Sequence, residues 1–128
     1  MKSPDLALQE ALYQRLKNSL STPVYDAVPD NAPYPFIALG ETTSTDESAK
    51  GENVLRVTAT LHIFSQYAGM KEAKAILNQI FTALSKRKLD LSPDFRIILD
   101  KLDGVMNLRE NKTTRHSVIR WIYLIEEV

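Results

Sequence analysis

The chain has 128 residues, about one domain's worth, and its 44% hydrophobic and 25% charged residues match an ordinary globular protein rather than a disordered one. Sixteen basic residues balance sixteen acidic ones, so no bulk field holds a polyanion or an anionic bilayer. Cysteine is absent, which removes disulfides, thiolate zinc sites, iron–sulfur clusters and cysteine nucleophiles together.

Ser3-Pro4-Asp5 reads as a helix start: a capping hydroxyl, a proline suited to the first turn, and a carboxylate at the positive end of the dipole. Leu8, Ala11, Leu12, Leu16 and Leu20 recur at helical spacing, which predicts an amphipathic helix over 4–19, ended by Ser21-Thr22-Pro23. Val24-Tyr25-Asp26-Ala27-Val28-Pro29 reads as a short extended segment. Pro29, Pro33 and Pro35 keep the next stretch off the centre of a sheet until the apolar strand Phe36-Ile37-Ala38-Leu39-Gly40. Residues 41–53 carry no periodic apolar residue and are expected to form a long polar loop with Glu41, Asp46, Glu47 and Glu52 against Lys50.

Residues 54–65 alternate strictly. Leu55, Val57, Ala59, Leu61 and Ile63 take one face, and Arg56, Thr58, Thr60 and His62 take the other. Gly69 opens a second helix whose stripe is Met70, Ala73, Ile76, Leu77, Ile80 and Leu84, closed by the basic run Lys86-Arg87-Lys88. Phe95 to Leu108 is a strand candidate with an apolar centre at Ile97-Ile98-Leu99 and a turn signal at Asp103-Gly104. Ser117 to Ile125, with Trp121 and Tyr123, is the last strand. Loops too short for crossover helices favour antiparallel pairing, and two helices cover one face of such a sheet. The expected fold is α+β: a largely antiparallel sheet with two amphipathic helices on one face, as a single domain over 1–128.

No motif for chemistry emerges. His62 and His116 could meet on adjacent strands and share a metal with an acidic residue, but no HxH or HExxH spacing supports this, and two hydrogen-bonded histidines are the simpler reading. Ser85-Lys86 and Ser48-Ala49-Lys50 lack a nucleophile motif. The pairs Asp46/Glu47, Asp100/Asp103 and Glu126/Glu127 lie in polar surroundings, whereas acid–base work needs one carboxyl desolvated. Four isolated glycines make no phosphate loop. Lys86-Arg87-Lys88 reads as a solvated helix end. Tyr34, Phe36, Phe64 and Tyr67 are not interleaved with basic residues as a base-stacking platform would be. The expectations are no catalytic residue, no metal site, no cofactor and no enzyme. No apolar run approaches the length of about 18 residues that suggests a membrane span, and the N-terminus lacks the apolar core of a secretion signal, so the chain is expected to be soluble and cytosolic at synthesis, with no membrane partner.

The block Val24-Tyr25-Asp26-Ala27-Val28-Pro29, followed by Pro33-Tyr34-Pro35-Phe36-Ile37-Ala38-Leu39-Gly40, resembles the tail completion proteins of long-tailed bacteriophages, also called tail terminators or tail-to-head joining proteins. The order of elements is similar too: an opening helix, a polar loop, a long alternating strand, a helix opening at Gly69-Met70-Lys71-Glu72-Ala73, and Arg115-His116 before the last strand. The resemblance spans essentially the whole chain. Phe64-Ser65 stands where many members carry Trp-Ser.

The resemblance implies a structural virion assembly protein of a phage or prophage. Such protomers form a ring, commonly of six, that caps the tail tube, ends its polymerisation and offers the tail-side surface for head joining. Implied partners are other copies of the chain, the tail tube protein and a head–tail connector or stopper, with DNA passing through the ring. The implied locations are the virion tail and, during assembly, the host cytoplasm. The alternatives are another connector or minor tail interaction protein, and a small ligand-binding domain or enzyme with an unrecognised site.

Overall fold

The computed structural model describes residues 1–128. In chain order the elements are α1 (Asp5–Ser19), β1 (Val24–Tyr25), β2 (Phe36–Asp46), β3 (Val54–Ser65), α2 (Lys71–Ser85), β4 (Phe95–Arg109) and β5 (Arg115–Glu127). The strands make one sheet in the order β1-β2-β3-β5-β4, in which only the β1–β2 pair is parallel. The α+β expectation therefore holds.

Strand alternation decides what is buried. Val57, Ala59, Leu61 and Ile63 of β3 point inward beside Ile119, Trp121, Tyr123 and Ile125 of β5, and Ile37 joins them from β2. Against this face α1 presents Leu8, Leu12 and Leu16, while α2 presents Ala73, Ile76, Ile80, Ala83 and Leu84. Helix α1 lies along β1 and α2, and α2 lies along β3 and β5. The opposite face of the sheet has no helix.

Two local expectations need correction. The polar stretch 41–53 is not a long loop: β2 continues to Asp46, with Thr42 to Asp46 paired in unbroken register against Ala59 to Leu55. Its threonines are good strand formers, and the stretch shows no apolar alternation because neither of its faces is buried. The remaining connection is a tight, internally bonded turn. Glu52 N–H donates to the Ala49 carbonyl at 3.1 Å, and Gly51 takes φ +81°, as the third position of a type II turn requires. Ala49 N–H donates to Glu52 and Ser48 N–H to Asp46, each at 2.9 Å, so two of the four acidic side chains here shape the turn. The Ser48 hydroxyl and backbone N–H hold the Asp46 carboxyl below its ordinary range.

The second correction concerns β4. Asp103-Gly104 makes no turn; β4 runs on through it with register shifts between Ile97 and Leu99 and between Leu102 and Gly104. These bulges explain the apolar centre: Ile97 is buried while Ile98 and Leu99 are exposed. The basic run Lys86-Arg87-Lys88 follows α2 as expected, with Lys86 at the C-cap and all three residues exposed. Arg15 of α1 supports the same end, its guanidinium donating to the carbonyls of Ala83 and Arg87 at 2.9 Å each.

Leu61 and Ile76 are expected to cost about 2–5 kcal/mol on truncation to alanine, measured by denaturant unfolding. Losses under about 0.5 kcal/mol at both would place the core on the other face. Tyr123 offers the opposite test. Its hydroxyl is buried with no hydrogen-bond partner, and burial pushes the phenol well above its ordinary pKa. Removing an unpartnered polar group is nearly neutral or stabilising, so Tyr123→Phe should unfold at the same denaturant concentration or higher. A loss above about 1 kcal/mol would contradict this.

Candidate functional site

The helix-free face is built by the outward positions of four strands. From β4 it takes Leu99, Lys101, Met106 and Leu108, and from β5 it takes His116, Val118, Arg120, Ile122 and Leu124. The β3 positions are Arg56, Thr58, Thr60, His62 and Phe64, and the β2 positions include Phe36 and Ala38. Leu99 and Met106 are more than half exposed, at 51% and 56%. Three of its arginines are already paired: Arg56 with Glu47 at 3.0 Å, Arg96 with Glu126, and Arg120 with Asp103 at 3.4 Å.

At one end of this face lies a continuous aromatic and imidazole cluster. Tyr25 and Tyr34 pack on Phe36 with ring centroids 5.8 and 5.1 Å away, Phe36 packs on Phe64 at 5.3 Å, and Phe64 stacks on His116 at 4.3 Å. The histidines do meet. His62 Nδ1 lies 2.8 Å from His116 Nε2, while Glu41 and Glu110 accept from the outer nitrogens at 2.9 and 2.5 Å. The result is a carboxylate–imidazole–imidazole–carboxylate chain. With both carboxylates ionised, its three hydrogen bonds need three protons on two rings. The hydrogen bond from His62, aided by Glu41's own backbone N–H, holds the Glu41 carboxyl below its ordinary value. That contribution is present at neutral pH and is lost as pH falls through the lowered value. The four groups run in a line with their ring nitrogens engaged with one another and the carboxylates, and no three are placed to hold one metal ion.

Gly40 makes this chain possible. A bulge between Leu39 and Thr42 swings Glu41 over His62, and a Cβ on Gly40 would stand 2.6 Å from the His62 ring and 3.0 Å from the Thr60 carbonyl. Arg115 acts beside it. Buried, it donates to the carbonyls of Ala68 at 2.7 Å and Asn111 at 2.9 Å, tying the entrance of α2 to the β4–β5 turn.

The other sequence candidates are dispersed, largely by strand alternation. Asp100 turns inward to accept from the Trp121 indole at 3.2 Å, while Asp103 faces Arg120. Glu126 faces Arg96, whereas Glu127 accepts from Lys2 N–H at 3.0 Å. Glu47 is paired with Arg56, and Asp46 accepts from Ser48. Ser85 and Lys86 end α2 in solvent, as do Arg87 and Lys88. Tyr67 is exposed away from the aromatic cluster formed by Tyr34, Phe36 and Phe64. Sequence reasoning missed Glu41 and Glu110, which lie in a bulge and a turn where periodicity is silent.

What this geometry offers is an extended, helix-free surface. The sequence matches the family described as tail completion protein gp17 over residues 10–126. The chain belongs to that family. It is similar in structure to a chain of the virion of a native gene transfer agent particle, with TM-score 0.85, 25% identity, and 98% of this chain and 99% of that one covered. It shares its fold with the gp17 protein of bacteriophage SPP1, with TM-score 0.56, 22% identity, and 99% and 92% covered. No curated protein sequence matches it. Tyr25, Tyr34, Phe36 and Gly40 from the block that carries the resemblance lie at this cluster, together with Arg115 and His116.

Gly40→Ala is expected to displace the His62 ring and cost about 1–3 kcal/mol. In a His62→Ala background the same change should cost less, leaving the milder contact with the Thr60 carbonyl. A double-mutant cycle by denaturant unfolding measures this, and strict additivity would contradict it.

Proposed function

We propose that the protein closes as a ring on the end of a phage or phage-like tail tube, stops its polymerisation and presents the tail-side surface for joining to the head. The observation that carries this reading is similarity over nearly the whole chain to a component of a gene transfer agent virion, joined to membership of the tail completion family. In the absence of a convergent catalytic set, an uncovered sheet face suits contact with neighbouring proteins. Paired arginines on that face limit the free positive charge that would hold DNA in passage. The partners in this reading are other copies of the chain, hexameric in the virion, the tail tube protein and a head–tail connector or stopper.

Zero net charge leaves no long-range repulsion against self-association. A ring held by modest protomer contacts closes where neighbours sit at high effective concentration on the tube end, so the free protein is monomeric when dilute.

Deleting the gene from the element that encodes it, and imaging the particles by electron microscopy, tests the proposal. Tubes of uncontrolled length and tails without heads are expected. Tails of normal length joined to heads would overturn it.

A further inference from the structure

The sheet ends on two free edges that differ in chemistry. Strand β1 pairs only with Ile37 and Ala38, so the rest of β2 has no strand on its outer side. Thr42 to Asp46 there form an unbroken, exposed run with no proline and no base to blunt it. On the other side β4 has no outer neighbour, and beyond its two bulges Val105 to Arg109 form an unbroken run as well. Apolar side chains stand exposed on both faces of β4: Leu99, Met106 and Leu108 on the helix-free side and Leu102 on the other. An edge that is bare of backbone partners and apolar on both faces is unusual unless something covers it.

We propose that a second copy of this chain covers it, the Thr42–Asp46 edge of one protomer adding antiparallel to the Val105–Arg109 edge of the next, so that the sheet runs continuously around the assembly. Direction favours this. From β2 through β3 and β5 to β4 there are three antiparallel steps, so β2 and β4 run in opposite senses. Within one protomer Thr42 to Asp46 lie level with Ile97 to Leu102, so the copy that meets Val105 to Arg109 is rotated about an axis inclined to the strands, pairs antiparallel and keeps both helix layers on the same side. The contact is head-to-tail, the kind that generates rings when it closes.

Charge suits this arrangement. Lys101 and Arg109 on β4 are exposed and engaged in no ion pair within their own chain, and the end-to-end match brings Arg109 opposite Thr42, beside Glu41. The β2 edge carries Glu41 and Asp46 and no base. Matching the two runs end to end sets Ser44 opposite Asn107, both on the helix side of their sheets. The inference rests on the ring reading above and names the surface that closes it.

The absence of native cysteine makes the test direct. Ser44→Cys is combined in turn with Val105→Cys, Asn107→Cys and Arg109→Cys, which share its face and allow a slip of two residues either way. Directly opposed residues on paired strands sit about 4.5–5.5 Å apart, within disulfide reach. Oxidised particles carrying one of the double variants should give a ladder of covalent multimers, while each single variant stays monomeric on a denaturing gel. Dimers from Asn107→Cys alone would replace the proposal with β4 self-pairing. Double variants present in particles but uncrosslinked at all three positions would overturn it and leave the ring reading standing. Absence of the wild-type protein from finished particles would instead remove the ring reading. Should the variants not enter particles, amide exchange on the wild-type protein decides. Residues 42–46 and 105–109 should exchange at least tenfold more slowly in particles than in the free chain, and equal rates in both would overturn the proposal.

Discussion

Two helices of 15 residues, packed side by side at about 8–10 Å, cover about 20 Å of sheet on one face, and strands spaced about 4.8 Å apart use that up before the fifth is reached. Here the helices lie over β1, β3 and β5. The uncovered remainder is β4 and the whole opposite face. The core is thus complete at β5, whose inward Ile119, Trp121, Tyr123 and Ile125 are buried, while β4 extends the sheet without entering the core along most of its length. An edge strand held chiefly by its hydrogen bonds to β5 is an expensive element for an isolated protomer to leave exposed.

The helix-free face is braced at both ends. At one end the Tyr25–Phe36–Phe64–His116 cluster and the Glu41–His62–His116–Glu110 chain cross from β2 to the β4–β5 turn, and Arg115 fastens that turn to the entrance of α2. At the other end the 47–53 turn is closed by its own hydrogen bonds. A surface fixed at both ends loses little conformational entropy on docking, which suits a protein whose work is contact.

The helices and the alternating strand β3 were legible in the sequence because burial imposes a period there. The α+β class followed from the order of elements. What escaped was structure without a buried face. Thr42 to Asp46 looks like loop because nothing in it alternates, and β4 looks broken at Asp103-Gly104 because a bulge and a turn share the same residues. The histidines could be suspected of meeting, but their carboxylate partners could not, since Glu41 depends on a bulge and Glu110 on the geometry of a turn. The resemblance to tail completion proteins named positions without reasons. Gly40 makes room for the His62 ring, Arg115 bridges two loops, and Tyr34 and Phe36 build the stack on which His116 rests.

On the reading proposed above, copies of the chain meet along the surface that the helices leave bare. Reconstruction of the tail end of a finished particle by electron microscopy at a resolution that separates strands tests it most directly. The account predicts strand density continuing from β4 of one protomer to β2 of the next at every junction, with the helices away from the seam. Junctions formed by the helices, with the outer edge of β4 in solvent, would contradict it.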